Sequence, residues 1–198
     1  MVNTRTALRR VSELRLQETF EHERRVGALS FALATYLGLP PATCTAYRCA
    51  AELHDIGKLV LPDAVLEKPG PLSAEEYALV KNHTEHGHDI LMAAGVKELL
   101  LAAEVALSHH ERWDGSGYPH GLRGEAIPAA ARLVALCDVY AALREERPYK
   151  TPLSHEAACH WLLHHDAAAG SRASGFDPDL LAVLATNPGM FQVAFAQA

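Results

Sequence analysis

The chain has 198 residues, a length at which one domain with a substantial core is the default expectation. Hydrophobic residues make up 49% of it and charged residues 21%, which leaves little room for extensive disorder. The formal net charge of −6 argues against a protein that coats DNA or RNA, because that role needs a basic surface, whereas a small anionic ligand remains compatible.

The first half of the chain has the pattern of successive helices. Apolar residues recur at three- and four-residue spacing and alternating β-branched runs are almost absent, which predicts an all-α fold. A first long helix is predicted at residues 6–36 and ends before Gly38. A second begins after Thr43 and ends at Gly57, since glycine suits a helix C-terminus. An irregular stretch, rich in proline and glycine, follows at residues 61–71.

The second half continues the helical pattern around one long loop. Ser73 with Glu76 has the form of a capping box and predicts a helix that runs toward His83. The loop at residues 113–128 is longer than most connections in compact domains, which is typical of functional loops. The other predicted helices lie near residues 86–94, 96–110, 129–145 and 155–166, with a last one from Asp177.

No targeting or membrane signal interrupts this pattern. The N-terminal residues are charged and lack an apolar segment, and no apolar run reaches membrane-spanning length. The four cysteines have no CxxC spacing, so we expect free, mostly buried thiols. We therefore expect a cytoplasmic protein with no membrane partner, built as a single domain over residues 1–198 with its core at about 14–185.

Histidine and acidic residues form the first two candidate metal-binding pairs. Glu18 and His22 are four residues apart on one predicted helix and share a face, although an exposed pair without function is the common alternative at this spacing. His54 and Asp55 are adjacent, and adjacent residues diverge by about 100° on a regular helix. Their joint ligation of one centre is therefore easiest at a helix end, which Gly57 supplies.

Further candidates lie in the central part of the chain. His83 stands near a helix end, and His109-His110 close another predicted helix. Asp138 lies on a helix whose other residues are largely apolar, where an unpaired carboxylate would be strongly penalised. A hydrogen-bonded core aspartate is the alternative, but the neighbouring histidines favour a cation as its partner.

Together these residues form a set of imidazole and carboxylate donors without a thiolate. The eight candidates are Glu18, His22, His54, Asp55, His83, His109, His110 and Asp138. With Asp55 as a bridging carboxylate, this set can hold two or three divalent transition-metal ions. Its chemistry suits iron or manganese, with zinc or nickel as alternatives in vitro.

These motifs resemble those of the HD-GYP family, the branch of the HD superfamily known for degrading cyclic di-GMP. The matching motifs cover nearly the whole chain and include Glu18-Thr19 with His22, His54-Asp55-Ile56-Gly57-Lys58, His109-His110-Glu111, Gly117-Tyr118-Pro119, Asp138 and Arg147-Pro148-Tyr149. The resemblance implies an HD-domain helical bundle with a long loop around Tyr118. It also implies that the eight candidates are metal ligands and that Lys58, Arg147 and Lys150 contact the substrate.

The chemistry of phosphodiester hydrolysis agrees with those roles. The reaction adds negative charge to an anion, so metals and positioned cations are the expected apparatus. Lys58 and Asp55 are therefore the expected catalytic residues, although an ordinary solvated lysine is the alternative for Lys58. Arg147 and Lys150 flank Pro148-Tyr149 and would hold a second phosphate or a guanine edge.

The loop supplies the remaining expected roles. Tyr118 lies between Gly117 and Pro119 and would line the substrate pocket. Glu111 and Asp114 are expected to orient the ligand histidines through their ring N–H groups.

Two positions depart from the family pattern, which commonly has acidic residues associated with substrate contacts. They are Leu16, two positions before Glu18, and Ala141, three positions after Asp138. The leading expectation is a phosphodiesterase that converts cyclic di-GMP through the linear dinucleotide toward GMP. The alternatives are a hydrolase of another cyclic dinucleotide such as cyclic GMP-AMP, which both departures favour, and a non-catalytic signalling module. A homodimer or a signalling protein is the expected partner.

Overall fold

The computed structural model describes residues 4–15, 17–146, 151–164 and 175–198. Within these ranges the chain is helical and contains no strand, which confirms the all-α prediction. The helices are α1 (Thr4–Arg15), α2 (Gln17–Tyr36), α3 (Pro41–Ala51), α4 (Asp63–Leu66), α5 (Ala74–Lys81), α6 (His83–Ala93), α7 (Leu100–Ser108), α8 (Ala129–Arg144), α9 (His155–His164), α10 (Pro178–Thr186) and α11 (Pro188–Ala196). Short 3₁₀ helices occupy Ile56–Val60, Lys97–Leu99 and Gly124–Ala126.

The single long helix predicted at the N-terminus corresponds to two helices, α1 and α2, on either side of residue 16. Helix α1 has polar partners of its own. The Ser12 hydroxyl donates to the buried carboxylate of Glu23, and Arg15 pairs with Asp63 at 2.6 Å. Side-chain hydrogen bonds of this kind are invisible to hydrophobic periodicity, so the pattern merged the two helices.

The predicted second helix is wrong at its C-terminus, because α3 ends at Ala51 rather than at Gly57. A 3₁₀ helix contains Gly57, and a Cβ on this residue would lie 1.9 Å from the carbonyl oxygen of His83. The glycine is thus required by the close approach of α6, not by a helix cap. This contact fixes the start of α6 against the turn that contains His54 and Asp55.

Two other predictions from local sequence have different outcomes. The capping box is present, with Ser73 and Glu76 each accepting the other's backbone N–H. The prediction of a single last helix is wrong, because Asn187 separates α10 from α11, which begins at Pro188. Proline has no N–H to donate, so it is tolerated at a helix start but not in its interior.

The core lies between α2 and α8. Helix α2 buries a stripe that includes Val26, Leu29 and Leu33, and it packs against α3, α8 and α11. Helix α8 is buried on most of its circumference, and α7 packs against both α3 and α8. No helix in the described ranges has the length and apolar character of a membrane span.

Candidate metal centre

The described candidate ligands converge into two adjoining groups. Within each group, one donor atom per residue lies within 4.8 Å of all the others. The first group is Asp55, His83, His109 and His110, and the second is His22, His54 and Asp138. All seven ligand candidates with described side chains are therefore in one of the two groups, and the rings of His54 and His109, one from each group, lie 4.8 Å apart.

Helix ends explain how adjacent residues reach one centre. His54 and Asp55 lie in the turn that follows α3, and His109 and His110 follow the last residue of α7. His83 is the first residue of α6. Outside regular helix, neighbouring side chains are not constrained to diverge by about 100°, so both members of each pair point toward the same cluster.

Three histidine rings are oriented by backbone carbonyl groups. Nδ1 of His54 lies 2.7 Å from the carbonyl oxygen of Ala51. Nδ1 of His83 lies 2.7 Å from the carbonyl oxygen of Val80, and Nδ1 of His109 lies 2.9 Å from that of Ala106. Each carbonyl belongs to the residue three positions earlier. The Nδ1–H donates to it, which leaves the lone pair of Nε2 directed into the cluster.

Asp55 occupies the centre of the cluster. Its Oδ1 lies 3.3 Å from Nε2 of His83 and 3.8 Å from Nε2 of His109. Its Oδ2 accepts a hydrogen bond from Nζ of Lys58 at 2.6 Å and lies 3.3 Å from Nε2 of His54. The two carboxylate oxygens thus face different sets of donors, which is the arrangement expected of a bridging ligand.

Two buried donor atoms indicate that the cluster fits a metal. Nε2 of His54 and Oδ1 of Asp55 are buried and make no hydrogen bond within the described part of the chain. Both residues are almost fully buried, at 1% and 3% exposure. A polar atom left unsatisfied in the interior is costly, and a cation placed between these atoms would remove that cost.

His22 differs from the other histidines because carboxylates face both of its nitrogens. Nε2 lies 2.8 Å from Oδ1 of Asp138 and Nδ1 lies 2.8 Å from Oε2 of Glu145. Burial by itself lowers the pKa of His22, but the hydrogen bonds to these carboxylates outweigh it and raise the pKa to about 9. At neutral pH without a metal, His22 is therefore protonated.

Four of the other ligand candidates, Asp55, Asp138, His109 and His110, are in the protonation state that metal binding requires. In His54, burial tends to lower the pKa, but neighbouring Asp55 outweighs it and raises the pKa. Burial tends to raise the pKa of Asp55 and of Asp138, but neighbouring Lys58 and His22, respectively, outweigh it and hold both carboxylates ionised. Burial lowers the pKa of His109, and it lowers that of His110 to about 4. Neutral imidazoles and ionised carboxylates are the forms that coordinate a cation.

The long loop lies against this cluster through the side chain of Tyr118. Its ring stacks on His110 with centroids 4.8 Å apart, and Nζ of Lys81 lies 5.2 Å from the Tyr118 centroid. Gly117 permits the loop to fold back, because a Cβ there would lie 2.5 Å from the carbonyl oxygen of His110. Tyr118 is thus a wall of the metal centre.

Glu111 and Asp114 were expected to orient the ligand histidines, but their hydrogen bonds go to other residues of the loop. Glu111 accepts the backbone N–H groups of His120 and Leu122 at 2.8 and 2.9 Å. Asp114 accepts both the N–H and the hydroxyl of Ser116. Both carboxylates fold the loop on itself, whereas backbone carbonyl groups orient His54, His83 and His109, and Glu145 contacts His22.

Sequence reasoning missed two acidic residues that interact with residues of the cluster. Glu145 bonds to His22, and its position seven residues after Asp138, about two helical turns, was the available signal. Glu23 is 2% exposed, and burial raises its pKa to about 7. Nothing in the spacing of Glu23 distinguishes it from the exposed acidic residue Glu21 on the same helix.

Four positions singled out in the sequence are not placed in the cluster. Residues 16, 147 and 150 and the side chain of Glu18 lie outside what the structure describes, so the expected roles of Glu18, Arg147 and Lys150 stay predictions.

Ala141 is described and is 0% exposed. It lies among core residues of α8 and therefore does not line an open pocket that could recognise a base.

The sequence also matches a family model, HD domain, over residues 6–170. The chain therefore belongs to the HD domain family, and the HD-GYP resemblance is confirmed by its relatives.

Among curated proteins, a cyclic di-GMP phosphodiesterase of Thermotoga maritima is 46% identical over 151 residues, which cover 76% of this chain and 41% of that protein. A 3'3'-cGAMP-specific phosphodiesterase of Vibrio cholerae is 38% identical over 172 residues, covering 87% of this chain and 32% of that protein. The chain thus spans less than half the length of these relatives.

Solved structures show the same fold at lower identity. The HD domain of the Listeria monocytogenes phosphodiesterase PgpH, in complex with cyclic-di-AMP, aligns with a TM-score of 0.64 at 15% identity, covering 96% of this chain and 94% of that one. Bd1817, described as an HDG"Y"P protein from Bdellovibrio bacteriovorus, aligns with a TM-score of 0.60 at 23% identity, covering 89% of this chain and 51% of that one. Both comparisons support the all-α HD-domain architecture.

Proposed function

We propose that this chain is a metal-dependent phosphodiesterase domain that hydrolyses cyclic di-GMP through the linear dinucleotide toward GMP. The observation that carries the proposal is the convergence of seven residues with metal-type donors, Asp55 among them, two of which have buried atoms that make no hydrogen bond in the described residues. A non-catalytic module has no need of such a centre. The printed functions of the curated relatives support the substrate class.

The metal ions would be held by the two described groups together with Glu18. Two or three ions are proposed, with iron or manganese favoured because every donor is an imidazole or a carboxylate. When bound, the ions would supply Lewis acidity and an activated water for attack on phosphorus. Asp55 would serve both ions because its two oxygens face different donors.

Lys58 is proposed to stabilise the charge that develops on the phosphate. Its Nζ is 2.6 Å from Asp55, and the side chain is 27% exposed, so the ammonium lies at the border between the cluster and solvent. Burial tends to lower the pKa of Lys58, but the adjacent Asp55 outweighs it and raises the pKa, which keeps the group cationic. A fixed cation beside the reacting phosphate lowers the barrier to hydrolysis.

Three further residues are proposed to contact the substrate. Tyr118 forms a wall beside His110, and Arg147 with Lys150 would hold the second phosphate or a guanine edge. We further propose that the reaction takes place in the cytoplasm and that no nucleic-acid polymer is a substrate. The proposed protein partner is a second copy of this chain, in a homodimer, or a signalling protein.

A second candidate substrate is a cyclic dinucleotide that contains adenine. Leu16 stands where the family pattern has an acidic residue, and carboxylates are natural acceptors for the N–H donors of a guanine edge. A curated Vibrio cholerae relative is specific for 3'3'-cGAMP. Cyclic GMP-AMP is therefore the alternative to cyclic di-GMP.

The decisive experiment is an assay of metal-loaded protein against cyclic di-GMP, cyclic GMP-AMP and cyclic di-AMP, with products separated by chromatography. The expected result is conversion of cyclic di-GMP to linear dinucleotide and GMP. The control is the Asp55→Asn variant, which should be inactive on all three. Hydrolysis of none of them by metal-loaded wild type would overturn the proposal.

A further inference from the structure

An acidic residue outside the predicted ligand set bonds directly to one of the predicted ligands. Oε2 of Glu145 lies 2.8 Å from Nδ1 of His22, and the Glu145 side chain is 10% exposed. We propose that Glu145 is a positioning residue, which holds His22 so that Nε2 faces Asp138 and His54. This inference rests on the proposed function in one respect, namely that His22 is a metal ligand.

The location of His22 explains why it needs a side-chain partner. His54, His83 and His109 lie at or beyond helix ends, where Nδ1 reaches the carbonyl group three positions earlier. His22 lies in the interior of the 20-residue helix α2, where each carbonyl oxygen is used by the helix itself. Glu145 supplies the acceptor that the backbone supplies to the other histidines.

The Glu145 carboxylate is itself fixed in place. Its Oε1 accepts a hydrogen bond from Nη1 of Arg25 at 3.0 Å, and the Arg25 guanidinium lies 5.3 Å from the ring centroid of Phe195 on α11. Arg25 lies three residues after His22, on the same side of α2. One oxygen of Glu145 therefore contacts the ligand while the other is bound to the helix that carries the ligand.

A carboxylate in this position has a defined effect on a metal site. When Nδ1–H donates to an anionic acceptor, the imidazole is fixed in one tautomer and one orientation, and its Nε2 becomes a stronger donor. Loss of such a partner typically costs 10- to 100-fold in metal affinity or activity.

The test compares metal affinity in three variants, measured by competition of Mn²⁺-loaded protein with a chelator. Glu145→Ala is expected to weaken the binding of one ion by 10- to 100-fold. Glu145→Gln retains an oxygen acceptor for Nδ1–H and should recover most of that loss. Glu146→Ala is the matched control, because Glu146 is the adjacent exposed acidic residue and should leave affinity and hydrolysis at the wild-type level.

A double-mutant cycle with His22→Ala separates positioning from general stability. If Glu145 acts through His22, then Glu145→Ala should have no further effect on affinity in the His22→Ala background. As a second readout, ¹⁵N spectra of zinc-loaded protein should show Nδ1 of His22 protonated in wild type and a mixed signal in Glu145→Ala.

Three results would overturn the positioning role: affinity in Glu145→Ala equal to that of Glu146→Ala, an undiminished effect in the His22→Ala background, or wild type that binds no Mn²⁺. Wild type that binds Mn²⁺ but cleaves no cyclic dinucleotide would instead refute the proposed activity. The affinity comparison would still decide the role of Glu145 in that case.

Discussion

Nζ of Lys58 lies 2.6 Å from Oδ2 of Asp55, three residues earlier, so the central carboxylate of the cluster already has a cationic partner without any metal. We expect Lys58→Ala to lower kcat about 10²-fold or more, because a charge-stabilising donor is lost, while metal content stays near that of wild type. Single-turnover kinetics and elemental analysis measure the two quantities separately. Lys97→Ala, which removes an exposed lysine, is the control, and wild-type turnover in Lys58→Ala would remove this residue from the mechanism.

Asp55→Ala should cause the largest loss of bound metal among the single ligand variants. Its two oxygens face His83 and His54, which belong to different groups, so its removal affects both. Elemental analysis of anaerobically prepared protein should show two or three ions in wild type and at most one in the variant. Asp89→Ala is a suitable control because that side chain is 79% exposed. Full metal content in Asp55→Ala would contradict the bridging assignment.

Metal binding should release a proton from His22 and therefore strengthen as the pH rises. The pKa of His22 is raised to about 9 without a metal, so the ring is protonated at pH 7 and must lose the proton from Nε2 before it can coordinate. The proton on His22 alone should make the affinity increase about tenfold per pH unit between pH 7 and 9. His110, whose pKa is about 4, contributes nothing in this range. Chelator competition at pH 7, 8 and 9 tests this, and an equal slope in His22→Ala would assign the proton elsewhere.

Glu23→Gln should stabilise the metal-free protein at alkaline pH and have little effect at pH 4. Burial raises the pKa of Glu23 from 4.5 to about 7, so its protonated form favours the folded state. That contribution is present below the unfolded pKa and is lost as the pH rises through 7, which a neutral glutamine avoids. We expect a gain of about 1–3 kcal/mol at pH 8 in urea unfolding. Glu21→Gln, on the exposed side of α2, is the control, and a pH-independent gain would argue against this explanation.

Ala141→Asp should destabilise the protein rather than simply restore a guanine contact. Ala141 is 0% exposed, and a carboxylate placed there would be buried without a described partner. The cost should be about 3 kcal/mol or more, whereas Ala142→Asp at the partly exposed neighbouring position should cost less. Urea unfolding measures both. If Ala141→Asp is as stable as wild type and shifts the preference toward cyclic di-GMP, residue 141 faces the substrate after all.

The sequence predicted which histidine and aspartate residues come together better than it predicted the helix boundaries. Histidine and aspartate donors have strong chemical preferences, so their clustering along the chain was informative before any geometry was known. The junction of α1 and α2 and the end of α3 depend on tertiary contacts, such as that of Arg15 with Asp63, which periodicity does not record. The role of Glu111 was misassigned and that of Glu145 was missed for the same reason. Each role depends on a hydrogen bond between residues nine or more positions apart.

The contact between Gly57 and α6 has a consequence for the interpretation of genetic variants. The carbonyl oxygen of His83 would lie 1.9 Å from a Cβ at residue 57, so any other amino acid there pushes α6, and with it the His83 ring, away from Asp55. Such a variant would lose metal although residue 57 donates no atom to the centre. In a screen scored by activity alone, Gly57 would therefore be indistinguishable from a true ligand, and only a structure or a metal titration would separate the two.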